Sequence, residues 1–269
     1  MKIGIGVITC NRLELFRRCI ASIPAVDMVV VVNDGDPYAE GAYPSHVHKV
    51  IQHPKRSGVA SAKNDAFRAL LEAGCDHLFL CEDDIEIVSA DILHDYIRAA
   101  RTSGIEHFNY AFHGPMNNPD LRPDALGPLC ATYPDGVAIK FYRHPIGAFS
   151  YFSRNALETA GLFDLRFRNF HDHTDHTMQI IKAGLHPPYG WFADIAESRS
   201  KLNDLDPQLH KSTSNRRKLS YTLKYYYYLS KYIYKNGPVS IRPLSEVITY
   251  LRTTKPGLDI RISDGNREW

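Results

Sequence analysis

Three consecutive carboxylates, Glu82, Asp83 and Asp84, close the apolar run Leu78, Phe79 and Leu80. A carboxylate at the end of a buried strand loses its solvation, and several side by side repel one another. A divalent cation answers both problems. Mg²⁺ and Mn²⁺ take oxygen ligands and often bind through one or two carboxylates plus the phosphates of a substrate. Strand alternation would put Glu82 and Asp84 on one side and Asp83 on the other. A solvated acidic turn has the same composition, but the apolar run before it favours the cation.

Other polar clusters suit the rest of such a chemistry. Asp34 and Asp36 follow a valine run in "VVNDGD", with Gly35 permitting a tight turn. These acids are poor phosphate ligands, but they can accept hydrogen bonds from ribose hydroxyls or a base N–H. An ordinary polar turn is the plainer reading. In "SGVASAKND", Ser57 and Gly58 open a helix whose free N–H groups would favour phosphate. Lys63 would balance diphosphate charge and Asn64 would bridge neighbouring strand ends; a lysine facing solvent is the alternative. In "NFHDHTDH", His171, His173 and His176 accompany Asp172 and Asp175 at spacings that suit a transition metal. No HExxH motif accompanies them, and simple polar contacts or an acceptor groove explain them equally well. The loop "FHGPMNNPD", with His113, follows the acidic strand and would border an acceptor or serve as a plain connection. There is neither GxGxxG after a first strand nor GxxxxGK[ST], which disfavours dinucleotide and P-loop sites.

These residues need elements to hold them. "KIGIGVIT", "MVVVVND", "HVHKVIQHP" and "DHLFLCEDD" read as strands, and "RLELFRRCIASI", "GVASAKNDAFRALLEAG" and "SADILHDYIRAAR" as helices, the last with Ser89 as N-cap. A strand of nearly pure valine fits a sheet covered on both faces. Strand and helix therefore alternate over the first hundred residues, which predicts a mostly parallel sheet between helices with its ligands at the carboxyl ends of the strands. Thr9, Asn11 and Arg12 collect after the first strand, and Asn33, Asp34 and Asp36 after the second. "HFNYAFHG", "GVAIKFY" and "IGAFSYFSR" read as antiparallel strands, "RNALETAG" and "DHTMQIIKAG" as helices, and "GWFADIAES" as an edge strand.

Composition narrows the class. The chain has 269 residues, 44% of them apolar, enough for a sizeable core. No apolar run is long enough to span a bilayer, and "MKIGIGVITCNR" reads as a first strand rather than a signal peptide. The five cysteines lack CxxC spacing and read as buried free thiols in a reducing cytoplasm. Net charge is only +2, but Arg199 to Lys255 holds twelve Lys or Arg and three acids. Within it "SYTLKYYYYLSKYIYKNG" carries seven tyrosines, too polar to span but suited to a headgroup boundary, so peripheral membrane contact through 216–236 is expected beside simple packing on the core. No RNP or zinc-finger pattern occurs, and nucleic acid is not expected as a partner. A boundary is placed at 198, dividing a domain of 1–198 (halves 1–100 and 101–198) from an extension of 199–269.

With these pieces in order, the chain resembles the family 2 glycosyltransferases of GT-A fold. The matching segments are "VITCNR", "VVNDGD", "SGVASAKNDAF", "FLCEDDIEI", "GAFSYFSRNALETAGLFDLRF" and "DHTDHTMQIIKAG", covering about residues 1 to 195. The resemblance implies an α/β fold with a mostly parallel central sheet, a small antiparallel acceptor-side sheet and a C-terminal helical appendage. It implies metal-dependent, inverting transfer of a sugar from a nucleoside-diphosphate sugar, UDP-sugar favoured, to a glycan or lipid-linked acceptor. A place in surface polysaccharide synthesis, in the cytoplasm or at the inner membrane face, goes with it. Thr9, Asn11, Arg12, Asn33, Asp34, Asp36, Ser57, Lys63, Asn64 and Asp83 would line the nucleotide-sugar pocket, with Asp34 on the base. Asp84 would be the chief ligand of Mn²⁺ or Mg²⁺, with Asp83 and Glu82 beside it, and one of the late histidines or His210 completing the set. His113, Gly147 and Trp191 are placed on the acceptor side; Trp191 would stack against a sugar ring, or pack in the core, which its apolar neighbours favour equally.

The family's usual Glu-Asp pair before the late helix is here Asp172 and His173. Deprotonating the acceptor hydroxyl needs a base within about 3 Å. Asp172 is the first candidate and Asp175 the second; His173 also qualifies, because imidazole titrates in the physiological range. Departure from the usual pair also admits a non-catalytic nucleotide-sugar or glycan-binding protein. A nucleotidyltransferase would need a Gly-rich loop after the first strand, and "TCNRLE" has none.

Overall fold

Strand β1, Ile3–Thr9, is buried along its whole length. Helix α1 (Leu13–Ser22), strands β2 (Met28–Asn33) and β3 (Lys49–Gln52), helix α2 (Val59–Glu72) and strand β4 (His77–Glu82) follow. Next come β5 (Ile85–Ile87), α3 (Ile92–Ser103), β6 (His107–Asn109), β7 (Leu129–Thr132), β8 (Ala138–Tyr142) and β9 (Phe149–Ser153). Helix α4 (Arg154–Ala160), a 3₁₀ turn at Leu165–Phe167, helix α5 (Asp172–Lys182), strand β10 (Phe192–Ile195), helix α6 (Ser198–Lys201) and strand β11 (Leu202–Asp204) complete the first part. Helices α7 (Lys218–Asn236) and α8 (Leu244–Thr254) and strand β12 (Arg261–Ser263) complete the regular structure of the described residues. The structure is a computed structural model that describes residues 1–39, 41–118, 120, 129–169, 171–205, 218–236 and 240–263. His210 lies outside the described residues.

The six-stranded sheet runs β3-β2-β1-β4-β9-β6. Its first four strands are parallel, and β9 runs antiparallel to both β4 and β6. The β1 register pairs Thr9 with Asn33 on one side and Ile8 with Glu82 on the other, so the polar strand ends meet at one edge. Strand period 2 explains the two cores. Val7, Val29, Val31, Phe79 and Cys81 face α1 and α3, while Val30, Val32, Leu78 and Leu80 face α2 and α4. A Cβ on Gly6 would stand 2.7 Å from the Ala66 Cβ, so the "GIG" sequence is what lets α2 lie directly on β1.

The expected sheet, with helices on both faces and a second, antiparallel sheet, is present. That second sheet, β10-β8-β7-β12, has "GWFADIAES" at its edge as expected. Several short elements escaped the periodicity reading: β5, β7, β11, α8 and β12. Helix α3 starts at Ile92 behind Asp91, so Ser89 is not its N-cap; the Ser89 carbonyl instead accepts from the Ile92 N–H at 3.2 Å. The chain after 198 is woven into the first part. Strand β11 pairs with β5, β12 pairs with β7, and α8 inserts Val247 and Leu251 into the main core. Helix α7 lays Tyr228 and Tyr232 against Phe167 and Met178. The five cysteines are free, with Cys19, Cys75 and Cys81 buried and Cys10 and Cys130 half-buried. Among the described residues, no helix is long and apolar enough to cross a membrane.

His107, His176 and His186 are each 1% exposed. Burial depresses all three imidazoles, His176 and His186 to about 4 and His107 well below its ordinary value. A histidine buried neutral contributes stability that is complete above its unfolded pKa near 6.5 and is lost as pH falls toward the folded value. Asp83, pushed up to about 7, and Asp194, pushed up to about 6, titrate with the opposite sign in the same range, so the test is differential. Between pH 7.5 and pH 5, His186→Gln is expected to lose about 1 to 2 kcal/mol less in urea unfolding than wild type. A pH-dependent loss in that variant equal to wild type's contradicts this assignment.

Candidate active site

Strand β4 delivers the acidic triplet to the carboxyl edge of the sheet, but it ends at Glu82. Asp83 and Asp84 form the turn into β5, so strand alternation no longer governs them. The expected pairing of Glu82 with Asp84 is corrected accordingly. Glu82 turns to Lys63, its Oε1 3.0 Å from Nζ. Asp83 and Asp84 instead share Arg12, whose Nη1 donates to Asp84 Oδ2 at 2.7 Å and whose Nη2 donates to Asp83 Oδ1. Asp83 is fully buried and also accepts from Thr9 Oγ1 at 2.7 Å. Burial pushes Asp83 up to about 7, with Arg12 opposing the rise and Asp84 adding to it. The Arg12 guanidinium is disfavoured by burial, yet Asp83 and Asp84 hold it above its ordinary value.

Lys63, 1% exposed on α2, is the second cation of the site and the buried one. Its Nζ reaches Glu82, Asp172 Oδ2 at 3.2 Å and the Gly147 carbonyl at 3.2 Å. Burial works against this charge, but Asp172 and Glu82 keep the ammonium well above the usual lysine value. Burial likewise works against Asp172, and Lys63 and then His173 pull it well below the carboxylate range. His173 Nδ1 lies 3.8 Å from Asp172 Oδ1. Gly147 is tightly placed here, since a Cβ on it would stand 2.7 Å from the His173 Cβ.

Of these groups, Glu82, Gly147, Asp172 and His173 line a cleft of about 240 Å³ together with His113 and Asn169, while Asp83, Asp84 and Arg12 stand beside it. His113 enters it from the loop after β6, with Nδ1 3.2 Å from Asp204 Oδ2. Burial opposes a charge on His113, but Asp204, Asp84 and Glu82 outweigh it and raise its pKa. Around the turn, the carboxyl groups of Glu82, Asp83, Asp84 and Asp172 face two fixed cations, Arg12 and Lys63, so carboxylates outnumber them even with Asp83 partly protonated, a deficit of positive charge.

That deficit bears on the expected divalent cation. Asp84 Oδ1 is buried and has no hydrogen-bond partner. Among the described residues, no three His, Cys, Asp or Glu side chains converge as a ready cage. The donor set therefore fits a cation anchored by Asp84 that takes its other ligands from phosphate oxygens and water, the mode Mg²⁺ and Mn²⁺ commonly use. The rival transition-metal cluster is not assembled. His171 stacks on the Tyr228 ring, 5.7 Å between centroids, and His176 Nε2 meets the Gly161 carbonyl at 2.7 Å inside the core. Only His173 of the three lines the cleft.

Several expected pocket residues are committed elsewhere. Asp34 accepts from the backbone N–H groups of Ser57 at 2.6 Å and Gly58 at 2.8 Å and faces His53 Nδ1 at 2.7 Å. It thus organises the loop before α2, and the amides expected to hold phosphate are turned onto Asp34. Asn33 is buried and spends its side chain on Gly35 N, Asp36 O and Gln52. Asn64 clamps the backbone N–H and C=O of Phe163. Trp191 donates Nε1–H to the Arg242 carbonyl at 2.7 Å and is covered by Arg143, 3.8 Å from its ring centroid. It is 6% exposed and has no open face for a sugar. Asp175 points away from the cleft to Lys231, 2.7 Å away, and to the Tyr232 hydroxyl, which removes it as a base. Asn11 and Asp36 remain exposed, paired through Asn11 Nδ2 and Asp36 Oδ2 at 3.2 Å.

Sequence reasoning missed Tyr38, His53 and Asp204. The Tyr38 hydroxyl bridges Thr9 Oγ1 at 2.6 Å and the Arg12 N–H at 3.2 Å. His53 sits between Asp34 and Asp65. None of the three carries a local signal, because each is recruited by a partner distant in sequence.

No protein-family model matches the chain, and no curated protein does. Among solved structures, the chain is similar to GalNAc-T7 with UDP, GalNAc and Mn²⁺, at 12% identity and a TM-score of 0.54, over 94% of this chain and 54% of that one. It also aligns with a mannosyltransferase from Pyrobaculum calidifontis in complex with GDP-Man and Mn²⁺, at 17% identity and a TM-score of 0.47, over 71% of this chain and 53% of that one. The chain thus spans about half the length of each. The likeness establishes a shared fold, the GT-A fold.

The Lys63 site makes a direct stability prediction. Replacing Lys63 by Met leaves two carboxylates without their shared cation, and urea unfolding is expected to show a loss of about 3 to 5 kcal/mol. A loss below about 1 kcal/mol, the range of an exposed pair, contradicts the buried hub.

Proposed function

We propose that this protein is a glycosyltransferase that moves a sugar from a nucleoside-diphosphate sugar, UDP-sugar favoured, to a hydroxyl of a glycan or lipid-linked acceptor, with inversion at the anomeric carbon. The observation that carries this reading is the acidic turn standing beside a cleft whose lining includes Glu82, the residue that joins the two halves of the chemistry. Asp84 Oδ1 stands unpartnered on the acidic turn, and the Asp172–His173 pair lines the cleft together with Glu82. The GT-A fold supports it as an analogy at the level of architecture.

In this mechanism His173 takes the proton of the acceptor hydroxyl. Asp172 is held by Lys63 as a fixed anion and orients the imidazole rather than accepting the proton itself. A single base suffices for inversion, because no covalent intermediate has to form. Asp84 would hold a Mn²⁺ or Mg²⁺, which would supply electrostatic stabilisation of the departing diphosphate. Asn11, Arg12 and Asp36 at the exposed strand ends form the nucleotide side; His113 and Gly147 face the acceptor. Exposed Leu223, Tyr225 and Tyr226 on α7 support peripheral contact with a membrane that carries the acceptor, as surface polysaccharide synthesis would require.

Calorimetry with a panel of UDP-, GDP- and CDP-sugars should show binding that requires Mn²⁺. No binding by any of them contradicts the reading, and binding without transfer to any hydroxyl acceptor leaves a carrier in place of an enzyme. His173→Ala should lower kcat by about 100-fold or more while sparing donor affinity, with Asp172→Asn acting in the same direction. Asp175→Asn should leave kcat within a few-fold and loosen α7. Full transfer by the His173 and Asp172 variants would place the base outside this cleft.

A further inference from the structure

Arg12 occupies the two carboxylates to which a cation would come. Asn11 adopts a left-handed backbone, φ 56°, and this turn after β1 sends the Arg12 side chain back across the end of β4. There the guanidinium spans Asp83 and Asp84. The resulting network is incomplete in a specific way. Arg12 Nε is a buried donor with no partner, and Asp84 Oδ1 is a buried acceptor with no partner. The two orphans belong to one ion-paired group but do not satisfy each other. Partly satisfied buried networks are unfavourable, so this arrangement gains from any ligand pair that brings a cation to Asp84 and an anion to Arg12. The Arg12 side chain is 24% exposed, against 0% for Asp83 and 6% for Asp84, so it is the member with room to move.

We propose that Arg12 is a built-in counter-ion that holds Asp83 and Asp84 in the resting protein, competes with the divalent cation for them, and passes to the phosphates of the nucleotide when cation and nucleotide enter together. This rests on the reading of the cleft as a nucleoside-diphosphate-sugar site. Two consequences follow from linkage. The cation alone binds weakly, because it has to displace a guanidinium already hydrogen-bonded to its ligands. Cation and nucleotide strengthen each other's binding, because the displaced guanidinium regains partners on phosphate. Arginine suits both positions, since its planar fork matches carboxylate and phosphate alike.

The test measures Mn²⁺ affinity of the full chain by calorimetry and by loss of the free-Mn²⁺ electron paramagnetic resonance signal, with and without UDP. In Arg12→Gln, Mn²⁺ alone should bind about tenfold or more tightly than in wild type. The factor by which UDP strengthens Mn²⁺ binding should shrink in the same variant. Asp84→Asn should abolish Mn²⁺ binding in both backgrounds. Arg12→Lys retains charge without the fork and should fall between wild type and Gln; it also carries the test if the Gln variant fails to fold. Equal or weaker Mn²⁺ binding by both Arg12 variants overturns the proposal, as does an undiminished UDP effect. If Mn²⁺-dependent sugar-nucleotide binding is present but Arg12 variants gain nothing, the counter-ion role fails and the glycosyltransferase reading stands. If the variants gain Mn²⁺ affinity but no nucleotide sugar binds, the competition for Asp83 and Asp84 stands and the functional reading fails.

Discussion

A buried ammonium organises this molecule. Lys63 lies within α2 at 1% exposure and is held by Glu82 from the end of β4, Asp172 from the start of α5 and the Gly147 carbonyl before β9. An isolated charge at this depth would be too costly to keep, so the fold has to bring these acceptors together around it. Gly147 and Asp172 come from segments 84 and 109 residues away from Lys63. The ammonium thereby fixes the distance between the acidic turn and the Asp172–His173 pair, the two groups whose separation sets what the cleft can do.

The rest of the site reads as management of negative charge. Arg12 holds Asp83 and Asp84 on one side and Lys63 holds Glu82 and Asp172 on the other, with carboxyl groups outnumbering these two cations. The rise of Asp83 toward neutrality follows from burial that Arg12 does not fully offset. The C-terminal segment supports the same architecture from behind. Lys231 and Tyr232 of α7 take Asp175, on the turn of α5 after Asp172, and so steady the helix that presents His173. Removal of α7 would thus act on the site without touching it.

Much of the fold could be read from the chain because its signals are local. The valines of β2 require cover on both faces, and the apolar run of β4 leads directly to its carboxylates. The polar strand ends are therefore placed at one edge by local signals alone. What stayed hidden depended on partners far away in sequence. Asp34 looked like a nucleobase ligand, but its carboxylate is drawn to two backbone amides more than twenty residues on. Asp172 and Asp175 are about one helical turn apart, so periodicity does not separate them; Lys231, 56 residues beyond Asp175, does. Trp191 looked like a sugar platform until Arg143 and the Arg242 carbonyl filled both its face and its N–H. The short strands β5, β11 and β12, three residues each, fall below what a period-2 pattern can resolve.

The central claim is that the acidic turn and the Asp172–His173 pair form one site for a nucleoside-diphosphate sugar and its cation. The most direct measurement is a crystal structure of the protein with UDP and Mn²⁺, with the manganese located by anomalous scattering. The account predicts an anomalous peak within about 2.5 Å of Asp84 Oδ1, shared with the diphosphate oxygens, and the Arg12 side chain turned onto phosphate. A peak among His171, His173 and His176, or UDP bound away from the ends of β1 and β4, would contradict it.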